Sequence, residues 1–319
     1  VSGAVAERIK LGPFMIFTVI YVGLVYPIVG SWQWGGGFLS TLGGAEEGFY
    51  DFAGSTLVHS VGGWGALIAI WLLGARIGKF DETGKPKAIP GHNIPMATAG
   101  VLILWLGWFG FNPGSTTAAN KDIAMIFVNT NLAAAAGAVL AMVTSWIKFG
   151  KPEVGMSLNG ALAGLVSITA GPATPSLGAA VLIGAVGGVL VVLAVPLFDK
   201  LKIDDVVGAL SVHLVAGIWG TMAVPFTDGE ASFLTQFIGV AATGVFVMAA
   251  SAIVWLLLKY TIGIRVNEED EYRGLDVTEI GMEAYPDFQT VHLGGMGSPA
   301  PAVGDAPAAA RVSKPASQN

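Results

Sequence analysis

The sequence contains no cysteine, and only 12% of its 319 residues are charged. The lack of cysteine excludes disulfide bonds, thiolate metal sites and cysteine nucleophiles. Soluble domains usually carry about twice this share of charged residues. Many of the Asp and Glu residues that give the net charge of −6 lie in loops and the tail. No basic patch in the sequence predicts nucleic-acid binding.

Apolar sequence, in contrast, is abundant. Hydrophobic residues make up 53% of the chain, and the mean hydropathy is +0.67. A transmembrane helix needs roughly 20 mostly apolar residues. Eight segments approach this pattern, so we predict an all-α polytopic membrane protein. The predicted spans are 13–30, 52–76, 93–112, 122–147, 155–171, 176–198, 205–225 and 233–260.

The distribution of basic residues predicts how the spans are oriented. If residues 1–12 are cytoplasmic and the spans alternate, only Lys121 lies in an outer loop, and twelve basic residues lie inside. This asymmetry is typical of cytoplasmic loops, so we expect a cytoplasmic C-terminus in a cell membrane. The inner basic residues are Arg8, Lys10, Arg76, Lys79, Lys85, Lys87, Lys148, Lys151, Lys200, Lys202, Lys259 and Arg265.

Two stretches share a pattern, "DFAGSTLVHS" from Asp51 and "DVVGALSVHL" from Asp205. In each, glycine follows the acid by three residues, valine by seven and histidine by eight. The predicted orientation runs them in opposite directions through the membrane, as an inverted repeat requires. Four matched positions are few, so chance similarity is the alternative.

The histidines of these stretches, His59 and His213, lie about 12 Å along their helices. The hydrocarbon half-thickness is about 15 Å, so both are expected near the bilayer midplane. Ionisable groups at that depth are costly and usually functional, although packing hydrogen bonds between helices are the alternative. Because imidazole both donates and accepts, the pair could relay a proton. His92 and His292 fall in a loop and the tail and are read as ordinary polar residues.

Other polar residues have simpler interpretations. Asp51 and Asp205 begin spans, which favours helix N-capping over direct substrate contact. Asn129 and Asn131 are expected to hydrogen-bond between helices. The small residues Ala180, Gly184 and Gly188 are expected to pack against a neighbouring helix.

The outer end of the third span, "GWFGFNPGS", combines aromatic rings with a helix-breaking Pro-Gly pair. Aromatic residues at such a boundary usually form an interfacial belt. Aromatic faces also attract cations, and the Ser115 hydroxyl could accept hydrogen bonds from one. Trp34 lies on the same predicted side.

Five motifs in order resemble the ammonium transporter, methylammonium permease and Rhesus protein family. They are "QWGGG", "DFAGSTLVHSVGG", "GWFGFNPGS", "DDVVGALSVHLVAGIWG" and "GLDVTE…EAY", and the resemblance covers nearly all of residues 1–288. It implies a homotrimer of helical bundles, each with eleven spans built from two inverted halves and a last helix. The eight spans would be the fourth to eleventh, with the earlier ones missing upstream of Val1.

The resemblance implies a domain organisation and a set of functional residues. The transmembrane domain would cover 1–264 and a cytoplasmic regulatory segment 265–288. Residues 289–319 lie outside the resemblance, and their composition, rich in Ala, Pro, Gly and Ser towards the end, predicts a disordered tail. The substrate would be ammonium or ammonia, with methylammonium as an analogue, and neither enzymatic activity, a metal nor a cofactor is expected. The implied residues are the pore histidines His59 and His213, the recruitment residues Trp34 and Ser115, the gate Phe111, the pore-lining Trp108 and the structural acid Asp51, with Asp205 at the matching position.

The tail departs from the family pattern, because Ile280 stands where a histidine is expected. Family members couple subunits through this segment, and prokaryotic members use it to dock PII-type regulatory proteins. The departure at Ile280 therefore weakens the expectation of a PII-type partner for this chain. Thr278 occupies a position phosphorylated in some relatives, although an ordinary solvated threonine is the simpler interpretation.

Two other functions are compatible with the motifs. One is an ammonium sensor that signals through its tail with little flux. The other is a membrane redox protein, since paired histidines can be axial ligands of a haem.

Overall fold

The computed structural model describes residues 1–42 and 48–285. The predicted disordered tail at 289–319, including His292, lies outside the described residues. Within the described part, no β-strand occurs, and eight apolar helices form the bundle. They are α1 (Leu11–Gln33), α2 (Ser55–Leu73), α3 (Ile94–Thr116), α4 (Asp122–Phe149), α5 (Val154–Ile168), α6 (Leu177–Lys200), α7 (Leu210–Phe226) and α8 (Phe233–Thr261).

Each predicted span corresponds to one of these helices. Six are long and apolar enough to cross a membrane, whereas α5 and α7 are shorter. The predicted spans 52–76 and 205–225 include several residues before α2 and α7 that are not helical. Three short helices lie outside the bundle: Ser2–Val5, Glu268–Arg273 and Leu275–Thr278.

Three of the eight helices contain a π-helical turn. These turns span Tyr21–Val25 in α1, Ser55–Ser60 in α2 and Leu210–Val215 in α7. A π-helical turn is rare and frequently marks a functional site. The turns in α2 and α7 contain His59 and His213.

Small residues bring α4, α5 and α6 into close contact. A side chain at Gly184 would collide with the backbone of Ala133, and one at Gly188 with the backbone of Gly137. A side chain at Gly137 would meet the backbone of Gly160 and Gly164 in α5. The predicted packing role of the small residues in α6 is confirmed.

The two asparagines of α4 make different contacts. Asn131 accepts a hydrogen bond from the indole of Trp105 at 3.2 Å, and so joins α4 to α3 as predicted. Asn129 instead donates to the carbonyl oxygens of Pro172 and Pro175 in the α5–α6 connection, rather than to another helix. The turn exposes two carbonyl groups inside the protein, and Asn129 satisfies both.

A buried ion pair joins the end of α2 to the residues before α7. The guanidinium of Arg76 donates to both carboxylate oxygens of Asp204, at 2.9 and 3.0 Å, and the backbone N–H of Arg76 donates to the same carboxylate. Glu7 forms a second ion pair with this guanidinium, at its Nη1 atom. Glu271 accepts from the backbone of Ile77, which fixes the first tail helix beneath the same region.

Candidate functional site

The two aligned acids lie at the starts of α2 and α7. The carboxylate of Asp51 is fully buried and accepts four backbone N–H groups, from Gly54, Ser55, Thr56 and Leu57, at 2.8–3.0 Å. The carboxylate of Asp205 accepts from Ala209 and Leu210, at 2.9 and 2.7 Å. Both acids therefore satisfy N–H groups that a helix start leaves unpaired.

The aligned glycines adopt a matching backbone. Gly54 has φ of +110° and Gly208 has φ of +76°, a region that side chains disfavour. Each glycine leads into a π-helical turn, where His59 is the fifth residue of one and His213 the fourth of the other. The two similar stretches thus share a capping acid, a left-handed glycine and a π-helical histidine.

The structure brings His59 and His213 into direct contact. Their Nδ1 atoms lie 3.3 Å apart, and their rings stack with centroids 5.3 Å apart and planes inclined by 16°. One Nδ1 must donate while the other accepts, so the contact fits two neutral imidazoles of opposite tautomer. The Nε2 atom of His59 is buried and has no hydrogen-bond partner among the described residues.

This geometry does not fit a haem iron between the paired nitrogens. A metal–histidine bond is about 2.0 Å long, so two nitrogens on opposite sides of one metal need about 4 Å between them. The Nδ1 atoms of His59 and His213 are closer than this. Ligation of one haem iron by these two Nδ1 atoms therefore does not fit the structure.

Two aromatic rings of α3 border the histidine pair. Trp108 stacks on His59 with centroids 5.0 Å apart, and Phe111 contacts the same ring at 5.4 Å. The Trp108 indole donates to the hydroxyl of Thr169 at 3.1 Å, and that hydroxyl donates to the carbonyl of Leu165. Sequence reasoning missed Thr169, whose only signal was a polar residue near the end of an apolar segment.

Close packing holds α2 against α7. A side chain at Gly63 would meet the backbone of Leu214, and one at Gly217 would meet the carbonyl of Ser55. The hydroxyls of Thr56 and Thr221 hydrogen-bond across the same contact at 2.6 Å. The threonine pair also escaped sequence reasoning, because threonine is common in apolar helices and its partner depends on the fold.

Trp34 and Ser115 hold the backbone near the histidine pair. The indole N–H of Trp34 donates to the backbone carbonyl of Asp51 at 2.9 Å, while 43% of the Trp34 residue surface stays exposed. The Ser115 hydroxyl donates to the carbonyl of Phe111 at 2.6 Å, so its oxygen lone pairs can accept. Trp34 thus contacts the start of α2, and Ser115 the turn of α3 that carries Phe111.

The tail residues singled out in the sequence lie apart from this cluster. The Thr278 hydroxyl is half-buried and donates to the carbonyl of Gly274 at 3.0 Å. Ile280 is exposed. His92 hydrogen-bonds the hydroxyl of Tyr285 at 2.7 Å, which joins the α2–α3 loop to the tail.

Comparison with known proteins places these features in a family. The model described as Ammonium Transporter Family matches residues 1–285. The chain belongs to this family. It is 43% identical to ammonium transporter Amt2 of Archaeoglobus fulgidus, with 90% of this chain and 67% of that protein covered. It is also 43% identical to a putative ammonium transporter of Synechocystis, with 88% and 64% covered.

Solved structures show the same fold. A protein described as a sensor Amt protein aligns with a TM-score of 0.82 and 37% identity, over 87% of this chain and 72% of that chain. Mep2 of Candida albicans aligns with a TM-score of 0.73 and 30% identity, over 84% and 62%. The chain spans about two thirds of the length of these relatives.

The family resemblance and the fold class predicted from the sequence are both confirmed. The relatives are named as transporters rather than enzymes. Family membership and the six long apolar helices together make this a multi-pass membrane protein.

Proposed function

We propose that the protein carrying this chain transports ammonium and ammonia across a cell membrane. The observation that carries the proposal is the stacked pair His59 and His213, joined through Nδ1 atoms inside a family of ammonium transporters. A pair of imidazoles, His59 buried and His213 half-buried, bordered by aromatic rings suits a small molecule that can lose a proton and pass uncharged.

Ammonium would first bind at Trp34 and Ser115. The indole of Trp34, a partly exposed residue, would attract the cation through its aromatic face, and the Ser115 oxygen would accept an N–H hydrogen bond. The ring of Phe111, whose carbonyl holds Ser115, would then act as a gate between this site and His59. Trp108 would line the passage beside the same histidine.

The histidine pair would carry the proton or organise its path while ammonia moves beside it. The unpartnered Nε2 of His59 offers a hydrogen bond to the passing molecule. Potassium cannot lose a proton, and the aromatic and aliphatic walls offer too few oxygen atoms to replace its hydration shell. Selectivity would follow from this chemistry rather than from pore width.

The predicted orientation, structural acids, subunit assembly and regulatory tail belong to the same proposal. The basic residues favour a cytoplasmic C-terminus, and Asp51 and Asp205 would act as structural acids that fix the two histidine helices. Each subunit of a homotrimer would have its own pore, and a PII-type protein would bind at the tail near Ile280. Thr278 would be a weak candidate for phosphorylation, because its hydroxyl already donates to Gly274.

Flux in liposomes tests the proposal. The purified protein is reconstituted, an ammonium gradient is applied, and the current and internal pH are recorded. We expect ammonium and methylammonium to pass and potassium to be excluded. An absence of ammonium flux from correctly folded protein would overturn the proposal.

A sensor with little flux is the second candidate, and one observation favours it. The solved structure titled as a sensor Amt protein aligns over 87% of this chain. Saturable ammonium binding without measurable flux in the same liposomes would favour the sensor over the transporter.

A further inference from the structure

The segment before α2 contains the carbonyl group that holds Trp34. The indole N–H of Trp34 donates to the backbone carbonyl of Asp51 at 2.9 Å. The N–H group of the same peptide bond, that of Phe52, donates to the carbonyl of Ala170 at 2.8 Å. The position of the Trp34 ring therefore depends on how firmly this segment is held.

A glutamine of α8, Gln236, holds the residue directly before Asp51. Its side-chain oxygen accepts the N–H of Tyr50 at 2.8 Å, and its side-chain nitrogen donates to the carbonyl of Tyr50 at 2.7 Å. The same nitrogen donates to the carbonyl of Thr221 in α7 at 2.9 Å. One amide group thus makes three hydrogen bonds, and it joins α8 to the segment before α2 and to the last turns of α7.

The full burial of Gln236 makes these bonds important. A polar group that leaves water is stable only when it is hydrogen-bonded, and the same holds for backbone groups. Tyr50 lies outside any helix, so its N–H and carbonyl groups have no partners within a helical turn. An amide side chain can satisfy both groups because it donates and accepts.

The next turn of α8 packs against the same segment. Gly239 leaves room for the ring of Phe49, since a side-chain carbon at position 239 would overlap that ring. Phe49 is itself buried, and its N–H donates to the carbonyl of Leu39 at 2.9 Å. Two consecutive residues, Phe49 and Tyr50, are therefore fixed by α8, one by shape and the other by hydrogen bonds.

The bond from Gln236 to Thr221 leads to the start of the His59 helix. The Thr221 hydroxyl bonds the hydroxyl of Thr56 at 2.6 Å, and the backbone N–H of Thr56 donates to the Asp51 carboxylate at 2.9 Å. The amide of Gln236 thus contacts the segment on both sides of the Asp51 cap, through Tyr50 and through Thr221. Groups in one network of this kind depend on each other for their geometry.

We propose that Gln236 is a positioning residue for the recruitment site at Trp34. The inference rests on the proposed transport function, in which Trp34 binds ammonium. Gln236 acts by holding Tyr50, so that the Asp51 carbonyl keeps the indole in one orientation. Without the amide, the segment gains freedom, and the ring spends less time in the position that binds ammonium. Ala170 contributes through its backbone, whereas Gln236 contributes through a side chain that a substitution removes.

The ammonium concentration for half-maximal flux tests this role. Full-chain protein is reconstituted in liposomes in one orientation, and flux is measured from the side on which Trp34 lies. Gln236→Met keeps the length of the side chain and removes all three hydrogen bonds. It should raise the half-saturation concentration about fivefold, the size of one net hydrogen bond, and leave the maximal flux within about twofold.

A double-mutant cycle separates positioning from a general loss of stability. Trp34→Leu removes the ring that Gln236 is proposed to orient, and alone it should raise the half-saturation concentration about tenfold. Gln236→Met should then cause no further rise, whereas independent effects would multiply to about fiftyfold. Gln236→Glu keeps an acceptor for the Tyr50 N–H and loses the amide donors, so it repeats the cycle if Gln236→Met does not fold.

Thr243→Val is the matched control. Thr243 lies about two turns along α8 from Gln236. It is also fully buried, and its hydroxyl has no partner in the described residues, so valine removes no hydrogen bond there. An equal rise in Thr243→Val, an unchanged value in Gln236→Met or a further rise in the double variant would overturn the positioning role.

Two other outcomes concern the proposed function itself. An absence of flux in the unaltered protein would remove the proposed transport. An unchanged half-saturation concentration in Trp34→Leu, with flux intact, would remove the recruitment role of Trp34 and with it the role of Gln236.

Discussion

Trp34 donates its indole N–H to the backbone carbonyl of Asp51 at 2.9 Å, and the Asp51 carboxylate caps the helix that contains His59. The hydrogen bond fixes the N–H edge of the indole, while 43% of the residue surface stays exposed. The proposed recruitment residue is thereby joined to the start of the pore helix. Changes at Trp34 can therefore act through its face or through its N–H, and the two effects are separable.

Two substitutions at Trp34 separate these effects. Trp34→Leu removes both the aromatic face and the N–H, whereas Trp34→Phe keeps a face and loses the hydrogen bond. If the face attracts ammonium, Trp34→Leu should raise the outer half-saturation concentration about tenfold and Trp34→Phe about threefold or less. Liposome current measures this, and equal effects of the two variants would contradict a role for the face.

The two capping acids should differ in their contribution to stability. Asp51 accepts four backbone N–H groups, while Asp205 accepts from Ala209 and Leu210. An asparagine side chain retains a single acceptor oxygen and no charge. We expect Asp51→Asn to lower the free energy of unfolding by about 2 kcal/mol and Asp205→Asn by about 1 kcal/mol.

Denaturation in detergent, followed by tryptophan fluorescence, compares the two variants. Asp228→Asn is the control, because Asp228 lies in the α7–α8 connection and its carboxylate accepts, within the described residues, a single backbone N–H, that of Glu230. A larger loss for Asp205→Asn than for Asp51→Asn would contradict the capping argument.

The positions of the spans could be predicted from the sequence because the bilayer requires long apolar runs. The distribution of basic residues predicted which loops are cytoplasmic. Matched depth in two opposed spans predicted that His59 and His213 lie near the same level of the membrane, whereas the contact between them is shown by the fold. The π-helical turns could not be predicted, since their extra residue depends on packing by neighbouring helices. The side of α3 that contacts the histidine pair could not be predicted either. Lipid and protein both accept apolar side chains, so the sequence of α3 has no periodic pattern that would mark one side.

Small polar residues were the main group of site residues that the sequence did not predict. Thr169 holds Trp108, and Thr56 pairs with Thr221, yet each is one threonine among many in the apolar segments. Their partners come from other helices, so local sequence has no information about them. Ser211 is similar, because only the fold shows that it lies beside a cavity with its hydroxyl buried.

Thr169 provides a test of how Trp108 is positioned. Thr169→Val keeps the side-chain shape and leaves the Trp108 indole N–H without its acceptor, so Trp108 should lose its fixed stacking on His59. We expect ammonium flux to fall about fivefold, with a small loss of stability. Thr243→Val in α8 is the matched control, because the Thr243 hydroxyl is buried without a partner in the described residues and its removal should leave flux unchanged. Equal flux in both variants would show that Thr169 does not position the ring.

The Arg76–Asp204 pair predicts a stability change in acid. Burial by itself would raise the pKa of Asp204, but the hydrogen bonds and charge of Arg76, with the charge of Arg8, lower it below the ordinary 3.8. Because the folded-state pKa is depressed, this pair stabilises the fold above pH about 4 and loses its effect as pH falls further.

Thermal unfolding from about pH 2 to about pH 7, a range that extends below and above the ordinary aspartate pKa of about 3.9, measures the loss. Asp204→Asn should lower the melting temperature at pH 6 and flatten its acid dependence, because removal of one partner of a buried pair costs about 3 kcal/mol. Glu82→Gln, at an exposed position of the α2–α3 loop, should preserve the acid dependence. An unchanged slope in Asp204→Asn would assign the acid sensitivity to other groups.

The histidine pair itself allows the sharpest test of mechanism. His59→Ala and His213→Ala each break the contact between the Nδ1 atoms and remove one member of the proposed relay. We expect each variant to fold and assemble like the unaltered protein, while ammonium currents change and discrimination against potassium weakens. His92→Ala, which removes an exposed contact between the α2–α3 loop and Tyr285, should leave current and selectivity unaltered. Currents and potassium exclusion equal to those of the unaltered protein in both variants would assign the pair to packing. If a variant only unfolds, that histidine is assigned to packing, because the alanine substitution has then removed a contact that the fold needs.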